Sequence, residues 1–362
     1  MFKLILTSIM SIAICSQAIG AVKWNNSSSK SCGEYEEKNV EIHSMNTPFS
    51  GEFKKLRKKM NKATNNGFYR LLMPTANNVR AENSVTLEDF NGEHSIRLRF
   101  KPGDIGGPGD WRRFGEPGYA QRLQFFENDG GIPTGKEMWY RVGFYIPKDY
   151  FTSGHALSFF DFKPVKDCAD IEAPVVSMNL RPEGLNAYIA GRYYYDKCVR
   201  NDVTKQCDKE EYVFEFGRGY TDQWIMLVIN VKWAEKDGFV KIWMNGNQVI
   251  NYKGNLPVKE ADAVRFKFGP YRIDLDKDKT LPDVDIRYSG VGRAKTCEKL
   301  WKGCDHLMNN EIPVNSVRNP SNGKRGPIVQ NVMRCDTLYS SASGGGGWKV
   351  KCNRKPITSP FE

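Results

Sequence analysis

The chain has 362 residues, with 53 Lys and Arg against 42 Asp and Glu, a formal net charge of +11. That length holds one large domain plus an extension, and no apolar stretch after residue 20 is long enough to cross a bilayer as a helix. The surplus of cations points to a polyanionic partner, nucleic acid included, because positive charge raises the local concentration of an acidic polymer and speeds its capture; a solubilising charge with no partner is the alternative.

Residues 1–20 read as a secretory signal: Lys3, an apolar run from Leu4 to Cys15, then the small residues Ala18 and Gly20 before a cleavage point. A soluble, secreted or periplasmic protein follows, with no membrane partner once the signal is removed. Of nine cysteines, losing Cys15 leaves Cys32, Cys168, Cys198, Cys207, Cys297, Cys304, Cys335 and Cys352. An even set in an exported chain favours disulfides, and the absence of any C-x-x-C pair, with the four histidines not clustered among the cysteines, argues against zinc. Pairing of neighbours gives Cys198–Cys207, Cys297–Cys304 and Cys335–Cys352, with Cys32–Cys168 left over. Connectivity stays open.

Residues 21–65 are polar and irregular. Within them Glu52–Thr64 has helical spacing, with Phe53, Leu56, Met60 and Ala63 as an apolar stripe among many lysines. A solvated helix face is the plainer account of such a charge run. From 66 to 295 the pattern is strand after short strand: 84–87, 95–100, 119–127, 139–146, 157–163, 175–180, 185–191, 212–216, four more within 222–272, and 284–288. Many short strands at even spacing predict an all-β, antiparallel β-sandwich. In the strand after Asp222, Ile225, Leu227, Ile229, Val231 and Trp233 alternate with Met226, Val228, Asn230 and Lys232, and both sets are apolar enough to be covered. Asp237-Gly238 and Asn245-Gly246 suit two-residue hairpin turns, which need positive φ. Residues 296–362 are richer in cysteine, lysine and asparagine, and read as a disulfide-pinned C-terminal extension. The acidic stretch Asp274, Asp276, Asp278 and Asp285 has a faint calcium-loop rhythm, but lacks Gly at the sixth position and Glu at the twelfth. A solvated acidic loop is the plainer account and a structural calcium the alternative; no other cofactor is expected.

Alternation sorts side chains onto strand faces. Arg122 and Gln124 share a face with Phe126, opposite Leu123 and Phe125. Arg141 and Tyr145 stand opposite Tyr140, Val142, Phe144 and Ile146. Asp161 and Lys163 share a face with Phe159, opposite Phe160 and Phe162. Arg265 and Lys267 oppose Val264, Phe266 and Phe268, and Tyr271, four residues on, returns to the side of Lys267. Lining one surface, these faces make a basic, tyrosine-bearing groove suited to an acidic sugar chain. Uronic acid polymers can be broken without water: a base takes the C5 proton, cations neutralise the adjacent carboxylate, and an acid protonates the departing O4. Lys267, Arg122 and Tyr271 are the right residue types. His155, just before the 157–163 strand, is an alternative base, or a loop histidine with no role.

The runs QRLQFFEND, GKEMWYRVGFYIP, WIMLVINVKWAEKDGFVKIWMNGNQV and KFGPYR, in that order, resemble the jelly-roll polysaccharide lyases that include heparin lyase and glucuronan lyase. The resemblance covers roughly residues 66–295, as one concanavalin A-like domain of the usual size. It implies a polysaccharide lyase in which Lys267 and Tyr271 line the cleft, Tyr271 is catalytic and Arg122 binds substrate, with Gln124 where an acidic residue is common. Family members often carry Gln-x-His on the strand after the W-Y strand; here Asp161-Phe162-Lys163 stands instead. Either Lys163 or Tyr271 replaces that histidine, or His155 reaches in, or activity is lost. Catalytic candidates are therefore Tyr271, Lys267, Arg122, Lys163 and His155. The substrate-binding candidates are Gln124, Asp161, Arg141, Tyr145 and Arg265. A lectin-like, non-catalytic binder on the same sandwich is the competing function. A glycoside hydrolase ranks below it, because the compact E-x-D-x-x-E strand motif is absent, and export argues against a nucleic-acid partner.

Overall fold

The computed structural model describes residues 40–41, 69–72, 85–102, 121–127, 130–150, 156–167, 169–170, 174–200, 205–273, 281–300, 304–318, 324–327, 330–340 and 347–357. The expected signal segment at 1–20, the expected helix at 52–64, His155, Cys32, Cys168 and Asp274 to Asp278 lie outside them.

Two antiparallel sheets form a sandwich. Across the first run, in spatial order, Arg325–Pro327, Ser316–Arg318, Asn247–Gly254, Gly238–Met244, Gln223–Lys232, Glu137–Ile146, Val284–Ala294, Glu93–Phe100 and Val85–Phe90. The second runs Tyr69–Leu72, Gln124–Glu127, Ala263–Ile273, Ala156–Lys166, Val176–Arg181, Gly184–Arg200, Lys205–Gly217, Gln330–Ser340 and Gly347–Ile357. Among the described residues no helix is long and apolar enough to cross a membrane.

The core lies between the sheets and is rich in aromatic side chains. Phe144 of the first sheet stacks on Phe159 of the second with centroids 4.4 Å apart, and Tyr140 packs against Phe162 and Phe266 at 4.9 and 5.0 Å. Such pairs add about 0.5–1.5 kcal/mol each beyond the area they bury. Among the described residues one ion pair crosses this interior: Arg293 donates to Glu127 at 2.8 Å, both fully buried, and the other Glu127 oxygen accepts from the Phe266 amide at 2.9 Å.

The Asn245-Gly246 turn is a two-residue hairpin, with Met244 paired to Asn247 and both turn residues at positive φ, 48° and 84°. Asp237-Gly238 differs from expectation. Asp237 has φ 58°, but Lys232 pairs with Phe239, so it ends a longer connection rather than forming a two-residue turn. The strand Gln223–Lys232 is covered on both sides, as its composition predicts. Ile225, Leu227, Ile229 and Val231 face the core, while Val228 on the outer side joins Trp139, Trp243, Ala294, Cys297, Leu300, Cys304 and Leu307. The Cys297–Cys304 disulfide and the helix Cys304–Met308 therefore cover the outside of the first sheet. Trp243 donates its indole N–H to the Leu307 carbonyl at 3.1 Å, and Asn251 donates to that of Ile312 at 2.6 Å. Strand register sets Cys198 opposite Cys207 and Cys335 opposite Cys352.

Candidate active site

The outer face of the second sheet carries the titratable cluster. Leu123, Phe125, Phe160, Phe162, Val264, Phe266 and Phe268 turn into the core with no exposure, so the residues between them, Gln124, Asp161, Arg265 and Lys267, must turn outward. Register then fixes who is beside whom: Lys267 faces Phe126 on one neighbouring strand and Asp161 on the other, Arg265 faces Lys163, and Tyr271 lies between Arg122 and Ser158.

Two irregularities bring these rows together. In Ala263–Ile273 the pairing shifts between Phe268 and Tyr271, where Gly269 has φ +122° and the Leu123 amide donates to the Pro270 carbonyl at 3.0 Å. A Cβ on Gly269 would lie 2.2 Å from the Leu123 carbonyl oxygen, so only glycine allows this close approach. In Ala156–Lys166 a second shift leaves Phe159 and Phe160 both in the core, and Ser158 and Asp161, three apart, on the outer side. The expectation that Phe159 shares a face with Asp161 is thereby corrected: simple alternation cannot see a bulge.

Cations dominate the cluster. The Lys267 ammonium contacts the Asp170 carboxylate, and Arg265 approaches the same carboxylate at 3.8 Å. Arg265 also lies 5.3 Å from the Phe126 ring centroid, and the Arg122 guanidinium sits 4.3 Å over the Tyr271 ring. Gln124 donates to Asp161 at 3.1 Å, leaving one buried acceptor on each, Gln124 Oε1 and Asp161 Oδ1, without a hydrogen-bond partner among the described residues. Desolvation pushes the Lys163 ammonium down to about 8, against Asp161 and Asp170, which favour its charge, while Lys267 and Arg122 add to the lowering. Burial pushes the Asp170 carboxyl up, but Lys267, Lys163 and Arg265 outweigh it and hold it below the ordinary carboxylate value.

Of the residues singled out in the sequence, Arg122, Gln124, Asp161, Lys163, Arg265, Lys267 and Tyr271 share this face. Arg141 and Tyr145 do not. They belong to Glu137–Ile146 in the first sheet and point outward on that side. The Tyr145 hydroxyl donates to Asp222 at 2.5 Å, which raises its pKa, and the Arg141 guanidinium packs on Gly290, where a Cβ would come within 2.9 Å of it. The thickness of the sandwich separates both from the cluster, so they cannot line one groove with Lys267. Asp285, from the acidic stretch, is bound by Arg97 at 2.8 Å. Among the described residues no three His, Cys, Asp or Glu are grouped to hold a metal ion.

Sequence reasoning missed Asp170, which sits on a two-residue strand with no periodicity to mark it. It also missed Ser177 and Asn179, hydrogen-bonded to each other at 3.0 Å on the next strand. Their alternation with Val176, Met178 and Leu180 was available as a signal.

No curated protein matches the chain. Among solved structures it is similar to an endo-β-1,4-glucuronan lyase from the fungus Trichoderma reesei, at 17% identity and a TM-score of 0.45, over 64% of this chain and 97% of that one. It is also similar to an alginate lyase from Chlorella virus, at 12% identity and a TM-score of 0.42, over 69% and 100%. The family model described as polysaccharide lyase matches residues 53–287. That span exceeds half of the chain and contains every strand that builds the cationic face, from Arg122 to Tyr271, so the chain belongs to the polysaccharide lyase family.

Proposed function

We infer that this enzyme is a secreted lyase that cleaves an acidic, uronic acid-containing polysaccharide by β-elimination. One observation carries the reading: Lys163, Lys267, Arg265 and Arg122 gather with the phenol of Tyr271 on a single sheet face. A neutral glycan offers such a cluster nothing to hold, whereas a polyuronate offers a carboxylate on each unit. Secretion is supported by the apolar run of residues 4–15 and by the Cys297–Cys304 disulfide, since such bonds persist in oxidising compartments.

Removal of the C5 proton leaves an electron pair that delocalises into the neighbouring carboxylate, where Lys267 and Arg265 stabilise the added charge. That pair then forms the C4–C5 double bond as the C4–O4 bond breaks, and a proton is delivered to O4. Lys163 is the base. Its pKa of about 8 leaves a sizeable neutral fraction at mildly alkaline pH, which an ordinary lysine lacks. Tyr271 is the acid, its ring held against Arg122. Gln124 and Asp161 turn their spare acceptor oxygens to sugar hydroxyls.

The test is a panel of alginate, glucuronan, heparin, chondroitin and pectin, followed by the ultraviolet absorbance of the new double bond. One of these polymers is expected to give unsaturated ends, and Tyr271→Phe to lose at least about a hundredfold in rate with its melting temperature unchanged. A protein that binds uronate polymers and never produces unsaturated ends excludes the reading.

A further inference from the structure

Of the described residues, two carboxylates stand among the cations, and they are held differently. Asp161 belongs to the eleven-residue strand Ala156–Lys166, is 2% exposed and accepts from Gln124. Asp170 belongs to a strand of two residues, which follows a turn with Asp167 at φ 47° and joins the sheet through Ala169↔Lys166 and Asp170↔Val165. Its carboxylate nevertheless rests on both Lys267 and Arg265. The two cationic side chains keep only 4% and 10% of their surface exposed, while Asp170 keeps 32%. The anion is thus the more exposed member of the group, and the cations behind it are the buried partners.

A carboxylate shared by an ammonium and a guanidinium is also the contact that a uronate unit makes with such a pair. We propose that Asp170 is a specificity-determining residue whose carboxylate stands where that of a bound uronate goes, so that substrate binding exchanges one carboxylate for another on Lys267 and Arg265. This rests on the polyuronate reading above. The exchange leaves the local charge unchanged, so a single uronate gains little Coulomb energy from it. A tethered Asp170 competes intramolecularly, at a fixed effective concentration that a lone sugar acid or a small inorganic anion must exceed. A polymer meets the competition differently: once one unit is bound, the next carboxylate arrives intramolecularly. Asp170 therefore biases the site toward long chains.

The experiment measures binding of β-1,4-linked glucuronate and mannuronate trisaccharides, and of the parent polymers, to the full chain as wild type, Asp170→Asn and Asp170→Ser, with a melting temperature for each. Both variants are expected to bind a trisaccharide about tenfold more tightly or better, with a smaller gain for the polymer, and to become sensitive to inorganic sulfate. Trisaccharide binding that is unchanged or weaker in both overturns the proposal and makes Asp170 a fixed support for Lys267. Hydrogen exchange on the wild type gives a second readout independent of variant folding: the Asp170 amide loses protection on polymer binding if the exchange occurs, and unchanged or increased protection overturns it. If none of the three proteins binds any uronate while a neutral β-glucan is bound, the polyuronate reading itself fails. If all three bind the uronates equally, the Asp170 proposal alone fails.

Discussion

Lys163 shows how a residue acquires a role from its surroundings. In water its ammonium would stay charged to pH 10.5, but desolvation beside Lys267 and Arg122 lowers that to about 8, and Asp161 and Asp170 prevent a larger fall. A base must be neutral to accept a proton, so kcat/KM should rise as pH increases through about 8. Lys163→Arg, which stays charged throughout, should lose that ascending limb together with about 100- to 10,000-fold of the rate; a pH–rate profile of the two proteins decides it. A profile in which both proteins rise through the same pH removes Lys163 from the base role. At this scale the sequence was informative about side and silent about layer. Period-two alternation correctly set Arg141 and Tyr145 opposite Tyr140 and Phe144, but an outward side exists on each sheet, and nothing in the spacing says which sheet a strand joins. Asp170 escaped for another reason: two residues are too few to show a period.

At the scale of elements, the strand Ala263–Ile273 combines regular alternation with one deliberate break. Arg265 and Lys267 are placed by the pleat, while Tyr271 is reached through Gly269 and the pairing shift beside it. Gly269→Ala would put a methyl 2.2 Å from the Leu123 carbonyl oxygen at φ +122°, adding a clash to a backbone cost of about 1–3 kcal/mol. Thermal unfolding should show a clearly lower melting temperature, with activity lost in the same variant because Leu123 adjoins Arg122. Gly92→Ala, at positive φ with open space around it, should cost less; equal losses at the two sites would refute the close-approach argument. Strand existence was legible here because Val264, Phe266 and Phe268 alternate cleanly. The ends were not. Gly184–Arg200 and Lys205–Gly217 run well beyond the apolar stretches 185–191 and 212–216, since the added residues are joined by backbone pairing and carry little apolar alternation.

Across the whole molecule, the two outer surfaces have opposite fates. One bears the cationic cluster; the other is closed by the segment from Cys297 to Ile312, which buries Trp139 and Trp243. The cysteine spacing announced the pinned segment, and the apolar second side of Gln223–Lys232 announced that something must lie on it. That the tail also extends the second sheet with Gln330–Ser340 and Gly347–Ile357 was not legible, because these strands join it by backbone pairing without an apolar repeat. Replacing Cys297 and Cys304 together by serine should lower stability by about 2 kcal/mol, read by urea denaturation. Turnover per folded molecule should stay unchanged, since the bond lies on the far side from Lys267. A fall in kcat equal to that of Tyr271→Phe would contradict this division of surfaces.

The clothed side also decides how the enzyme can be handled. Met308, 48% exposed on the helix that covers the tryptophans, offers an anchoring point on the side away from Lys267. A resin, a particle or a fused partner attached there leaves the cationic side turned toward the bulk liquid, where a viscous polymer approaches.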